Sequence, residues 1–189
     1  METSNYTSND HDSNSTDNPE EINYLEETNT NTIEEVNRTV LDESDPEAIK
    51  VKIEYNNGDT YEGEVNINGL KEGWGLYLFK ESDEKYEGFF QNGLIHGYGV
   101  YIFNGGQKYE GDWYEGMKQG VGILDFNNGE KYEGEFYKEN FDGNGTYFYN
   151  NGDKFVGKWK NGKKNGDGSL NTKGRTIIGE WVEDELQHF

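Results

Sequence analysis

YEGDWYEGMKQGVGILDF, residues 109–126, decides the fold. In its first half Tyr109, Gly111 and Trp113 alternate with Glu110 and Asp112; in its second half Gly122, Leu124 and Phe126 alternate with Ile123 and Asp125. A period of two sends successive side chains to opposite faces of a strand. Each half therefore reads as a strand, with glycine and ring on one face of the first and acids on the other. Gly116 and Gly120 shoulder the loop between the halves. The pattern recurs along the chain at Tyr61-Glu62-Gly63, Tyr86-Glu87-Gly88, Tyr132-Glu133-Gly134 and Phe155-Val156-Gly157. Self-similarity at a fixed period of this length marks a repeat architecture. The repeats run over 61–85, 86–108, 109–131, 132–154 and 155–176. Partial repeats flank them: IEYNNGDT at 53–60 echoes FYNNGDKF at 148–155, and Ile177-Ile178-Gly179 begins a sixth.

The joints carry turn chemistry. Asn104-Gly105-Gly106, Asn127-Asn128-Gly129 and Asn150-Asn151-Gly152 separate the units, and Asn-Gly tolerates the positive φ that hairpin turns demand. The stretch Asn92-Gly93-Leu94-Ile95-His96-Gly97 and its counterparts read as the loop inside each unit. Glycine weakens a strand, so Gly111 and Gly134 need a reason. The missing side chain leaves a hollow across which a neighbouring ring can lie. Gly97-Tyr98-Gly99 and Gly120-Val121-Gly122 resemble pieces of a nucleotide loop, yet they recur in every unit with no helix behind them. Packing and turn geometry account for them.

The unit resembles the MORN repeat (membrane occupation and recognition nexus). Tyr109-Glu110-Gly111-Asp112-Trp113, followed by Gly116, Gly120 and Gly122, carries the likeness, which extends over residues 50–189. Val65 stands in place of the aromatic in the first unit, and Phe155-Val156 in place of Tyr-Glu in the fifth. The resemblance implies an elongated single-layer antiparallel sheet with one hairpin per repeat, and the alternation independently points to an all-β fold. It also implies a scaffold role in cytoskeletal structures such as cilia or flagella, the cell cortex and myosin-bound adaptors, hence a cytoplasmic, cytoskeleton-associated location. MORN repeats accompany catalytic domains in lipid kinases and lysine methyltransferases; none is expected here.

Composition divides the chain of 189 residues, net charge -21, into two parts. Residues 1–48 hold no glycine, two aromatics (Tyr6 and Tyr24), and Arg38 alone against 14 acidic residues. Such a segment buries too little apolar surface to offset the entropy of ordering its backbone, so a disordered acidic tail is expected over 1–48 and the array over 49–189. Ile22 to Leu41 leaves open a short helix formed on a partner, and Trp181 to Phe189 a short capping helix. Met1 to Asp17 lacks the basic and apolar regions of a secretory leader, and no apolar run reaches the length of a membrane span. The acidity argues against nucleic acid as partner.

No catalytic constellation emerges. Cysteine is absent, and His11, His96 and His188 are too dispersed to share a metal. No catalytic residue, metal or cofactor is expected, and the chain reads as non-enzymatic. Partner binding falls instead to the rings at positions 1 and 5 of successive units: Tyr86, Phe90, Tyr109, Trp113, Tyr132, Phe136, Phe155 and Trp159. Alternation puts them on one face, where they would form an aromatic groove for a helix or extended peptide, since Tyr and Trp anchor interfaces. Lys158, Lys160, Lys163 and Lys164 crowd the fifth unit, where an anionic surface such as acidic phospholipid would be met. A peripheral membrane module is thus the alternative reading, regulation of an enzyme supplied in trans a third, and a homodimer remains open.

Overall fold

In a computed structural model of the chain, residues 33–45 and 48–187 are described. They form fourteen strands and, among the described residues, no helix. In chain order the first seven are β1 Glu35–Asp42, β2 Ile49–Tyr55, β3 Thr60–Val65, β4 Lys71–Phe79, β5 Glu84–Gln91, β6 Leu94–Ile102 and β7 Lys108–Tyr114. The rest are β8 Met117–Asp125, β9 Lys131–Tyr137, β10 Asn140–Phe148, β11 Lys154–Lys160, β12 Lys163–Thr172, β13 Arg175–Val182 and β14 Glu185–Leu186. All belong to one sheet whose spatial order is the chain order, each strand antiparallel to the next.

Two kinds of joint produce this meander. Inside a repeat the turn is only two residues, both left-handed: Asn92 and Gly93 at φ 49 and 89, Glu115 and Gly116 at 48 and 83. Such turns match the twist of the flanking strands. The six-residue loop expected over 92–97 is therefore shorter, because β6 already begins at Leu94. Between repeats the loop is longer. The Phe126 N–H donates to the Glu130 carbonyl at 2.9 Å, and Gly129 (φ 87) closes the bend.

The register aligns the glycines in one row. Gly63, Gly75, Gly88, Gly99, Gly111, Gly122, Gly134, Gly145, Gly157, Gly168 and Gly179 face one another across β3 to β13. Two residues away runs a second row on the same face: Tyr61, Tyr77, Tyr86, Tyr101, Tyr109, Leu124, Tyr132, Tyr147 and Phe155. The ring of each repeat's first residue lies over the glycines. A Cβ at Gly122 would come 2.5 Å from Tyr109 Oη and 2.6 Å from its Cε2. No side chain larger than hydrogen fits there, which is why the row is glycine throughout.

Two expectations are corrected at the ends. Glu35–Asp42, inside the segment read as an acidic tail, is strand β1, with Val40 opposite Val51 and Arg38 opposite Ile53. All eight of its residues are exposed, so it is held by ladder hydrogen bonds more than by burial, a contribution that apolar counting misses. Of the stretch left open for a helix formed on a partner, Ile22 to Leu41, residues 35–41 belong to this strand; residues 1–32 lie outside the described residues. At the other end Trp181 is no part of a capping helix. Glu183 and Asp184 take left-handed φ of 50 and 72, and a short hairpin pairs Trp181 with Leu186. Trp181 is position 5 of the sixth repeat, so the ring row continues through it. Residues 188 and 189 are outside the described residues.

Candidate functional site

The eight rings singled out from the sequence share one face, as alternation requires. Tyr86, Phe90, Tyr109, Trp113, Tyr132, Phe136, Phe155 and Trp159 are each between 0% and 6% exposed. They form the core of the sheet and present no open groove surface. The burial comes from a zipper of edge-on contacts, an arrangement that ring quadrupoles favour. Position 1 of each repeat meets position 5 of its own repeat: Tyr109 lies 4.9 Å from Trp113 and Tyr132 5.2 Å from Phe136. It also meets position 5 of the next: Tyr86 to Trp113 at 5.8 Å, Tyr109 to Phe136 at 5.1 Å, Tyr132 to Trp159 at 5.4 Å and Phe155 to Trp181 at 5.2 Å.

The tyrosine hydroxyls end in the sheet itself. Tyr86, Tyr109 and Tyr132 donate to the carbonyls of Phe89, Asp112 and Glu135 at 2.9, 2.9 and 3.0 Å. Burial pushes all three above the ordinary phenol range. A second set of hydroxyls ties neighbouring repeats together. Tyr77, Tyr101 and Tyr147 donate to Asp59, Glu84 and Glu130 at 2.9, 2.7 and 2.8 Å. In the third repeat Leu124 takes the tyrosine's place and Gln107 the acid's, and the Asn127 amide bonds the Gly105 carbonyl at 2.9 Å instead.

What the core face leaves within reach of a partner is its turn-side margin. Tyr55 of the leading partial repeat and Phe79, Phe103, Phe126 and Tyr149, one in each of the next four, are half-buried against the core, and Thr172 ends the row in the fifth. Tyr77 and Phe79 lie 4.5 Å apart, Tyr101 and Phe103 4.4 Å, and Tyr147 and Tyr149 4.8 Å. The sequence carries this row in plain view, as a ring at or just past the end of each second strand. Its distinction from the buried rings depends on how far each hairpin covers its neighbour, which spacing alone does not encode.

Comparison with known proteins identifies the unit. The pattern of the MORN repeat family matches residues 86–108, 109–131, 132–154 and 155–170. The chain carries four consecutive MORN repeats. The matched boundaries fall at the first ring of each hairpin described above, and residues 61–85 fold as a further hairpin of the same form outside them. No curated protein sequence matches the chain. Among solved structures it is similar to the TCP domain of SAS-4 (dCPAP) of Drosophila melanogaster, solved in complex with a proline-rich motif of Ana2 (dSTIL). The identity is 16%, the TM-score 0.41, and the match covers 84% of this chain and 97% of that one.

Three of the four lysines of the last matched MORN repeat are engaged by acids. Lys160 pairs with Asp142 at 3.0 Å, Lys163 with Glu183 at 2.7 Å, and Lys164 with Asp184 at 3.9 Å. Lys164 also sits over the rings of Phe155 and Trp181, 5.6 and 4.9 Å from their centroids. Lys158 lies along Gly166 and is exposed. The four do not form one patch of free charge. His96 accepts a long 3.5 Å bond from the Glu115 N–H and packs 5.1 Å from the Tyr114 ring, which gives it a place in the turn. Among the described residues no cluster of His, Cys, Asp and Glu is arranged to hold a metal ion.

Proposed function

We propose that this chain is a non-enzymatic scaffold that binds a partner protein along the aromatic face of its MORN array. The carrying observation is the half-buried row Tyr55, Phe79, Phe103, Phe126 and Tyr149, which recurs over five successive hairpins and is backed by a buried core. Rings so placed offer contact area at low entropy cost, because the sheet already fixes them. The eight rings beneath them, Tyr86 to Trp159, serve the site by holding it flat. A repeat array also presents such a row over a long span, which suits a helix or an extended peptide. A cytoskeletal, ciliary or cortical setting in the cytoplasm follows from the family resemblance alone. Asp142, Glu183 and Asp184 stand among Lys160, Lys163 and Lys164 and lower the net positive charge of that surface, which weighs against the alternative of an acidic-phospholipid surface.

Affinity capture from source-cell lysate, with wild-type chain and with Phe79→Ser/Phe126→Ser, tests this reading when followed by mass spectrometry. A protein retained by the wild type and lost by the folded double variant is the expected result. Retention by both forms would move the site off this face.

A further inference from the structure

The opposite face of the sheet has a surface that the aromatic core does not use. Its odd and even strands differ. β5 and β7 present Lys85-x-Glu87 and Lys108-x-Glu110, whereas β4, β6 and β8 present apolar residues between them. Trp74, Phe89, Tyr98 and Val121 are 41%, 47%, 45% and 63% exposed, and the Trp74 and Phe89 rings meet edge-on at 5.3 Å. Large apolar groups gathered on one face are unusual on a surface with nothing bound to it.

The pairing register orders this face into a row that alternates charge and apolar contact. Leu76, Glu87, Val100, Glu110, Ile123 and Glu133 stand directly opposite one another across β4 to β9. Neighbouring strands lie about 4.8 Å apart, so each glutamate recurs at about 9.6 Å. Successive turns of an α-helix rise about 5.4 Å and a heptad spans about 10.5 Å. A helix laid across the strands therefore brings one turn to each strand, with a mismatch of about 3 Å accumulated over five strands. An extended strand cannot do this, since its residues at the same spacing point to alternate sides.

Charge selects the kind of helix. Glu87, Glu110 and Glu133, with Glu64, Asp112 and Glu135 in the adjoining row, outnumber the lysines Lys85, Lys108 and Lys131. Those lysines pair within their own strands, Lys85 with Glu87 at 2.9 Å and Lys108 with Glu110 at 2.7 Å. These pairs face solvent, where an ion pair is worth little and exchanges readily. Tyr98 donates to Glu110 at 2.6 Å, which holds that carboxylate in the row. Beside Phe89 a depression of about 490 Å³, lined by Glu64, Glu72 and Gln91, gives room for one long cationic side chain. We infer that this outer face docks a basic amphipathic helix of a partner protein. The helix carries arginine or lysine at heptad spacing over the glutamates and an apolar residue one turn later over Leu76, Val100 and Ile123. The inference stands apart from the core-face reading and uses none of its residues.

The test uses the full chain and two synthetic helical peptides of about 18 residues. One has arginine at every seventh position and leucine four residues after each; the other has the same composition with arginine at every fifth position, which winds the charge around the helix. Calorimetry should show the heptad peptide binding at least about tenfold tighter than its control, with an affinity that falls as salt rises. Trp74→Ser and Phe89→Ser, both at exposed positions, should each weaken it about tenfold while circular dichroism stays unchanged. Glu87→Gln/Glu110→Gln should weaken it and flatten the salt dependence. Equal binding of the two peptides, no binding of either, or indifference to Trp74→Ser and Phe89→Ser overturns the inference. Loss of binding in Phe79→Ser/Phe126→Ser instead assigns the helix to the core face and overturns it equally.

Discussion

Replacing Gly111 by alanine should unlatch the MORN repeat at residues 109–131. A methyl at this position would lie 2.5 Å from the Gly122 Cα, 2.6 Å from the Val121 carbonyl and 2.7 Å from Tyr109 Oη. Carbon atoms pack at about 3.5–4.0 Å, and two of these three neighbours are backbone, so β7 and β8 must part or the tyrosine must leave. A buried tyrosine removes about 150–250 Å² from water, which at about 25 cal/mol per Å² is about 4–6 kcal/mol if wholly lost. Tyr109 also loses its edge-on contacts to Trp113 and Phe136, each worth about 0.5–1.5 kcal/mol. Partial relaxation leaves an expected cost of about 3 kcal/mol. Gly129→Ala is the control, for a methyl there meets nothing within 4 Å and only the left-handed backbone, at φ 87, resists it. Its cost should be about 1 kcal/mol. Because repeat arrays couple mainly between neighbours, the readout is hydrogen exchange followed by mass spectrometry. Gly111→Ala should speed exchange in β7, β8 and β9 and leave β3 unchanged, whereas Gly129→Ala should affect its own loop. Equal effects of the two, or intact protection in β7 and β8 of Gly111→Ala, would refute the argument that ring-over-glycine packing holds the sheet.

Tyr132→Phe should cost about 1 kcal/mol, the worth of its hydrogen bond to the Glu135 carbonyl, in a denaturant melt, since Phe155 fills the equivalent place without a hydroxyl. Installing the missing tie in the third repeat, Gln107→Glu with Leu124→Tyr, should show a coupling of about 1–2 kcal/mol in a double-mutant cycle, and additive singles would deny that the carboxylate–tyrosine pairs link repeats. Above pH 10 the fold should weaken steadily: the folded state keeps the protons of Tyr86, Tyr109 and Tyr132, raised by burial, while the unfolded chain releases them, so proton loss favours unfolding. Beyond the share of the exposed tyrosines such as Tyr114 and Tyr137, absorbance at the tyrosinate band should rise only together with the loss of β-sheet signal, and a rise of the full tyrosine complement before unfolding would show these buried hydroxyls to be open to solvent. Lys164→Glu should lower the melting temperature by several degrees, because it sets a carboxylate beside Asp184 and over the faces of Phe155 and Trp181. Lys158→Glu, on the exposed side, should change it little.

Much of the architecture is local and therefore legible in the chain. The two-residue alternation in Tyr109-Glu110-Gly111-Asp112-Trp113 fixes which side chains share a face, and the Asn-Gly joints fix where the strands reverse. Together they place the hairpins, their order and the row of glycines, because a meander pairs each strand with its sequence neighbour. Three things waited for the tertiary structure. Whether Trp113 and Phe136 are core or contact surface depends on the ring of the neighbouring repeat that covers them, a quantity set by twist and offset between hairpins. Whether the lysines of the fifth repeat are free depends on Asp142, Glu183 and Asp184, which belong to the hairpins on either side and reach them only across the turns. Strand β1 owes its place to an open sheet edge at β2, whose ladder groups accept a strand with no buried residue of its own. The sequence by itself determined the strand pairing inside the array, where alternation and turn residues are local; side chains meeting across two hairpins, and the pairing at the two ends, are governed by geometry accumulated over the whole sheet, and only the folded structure decides them.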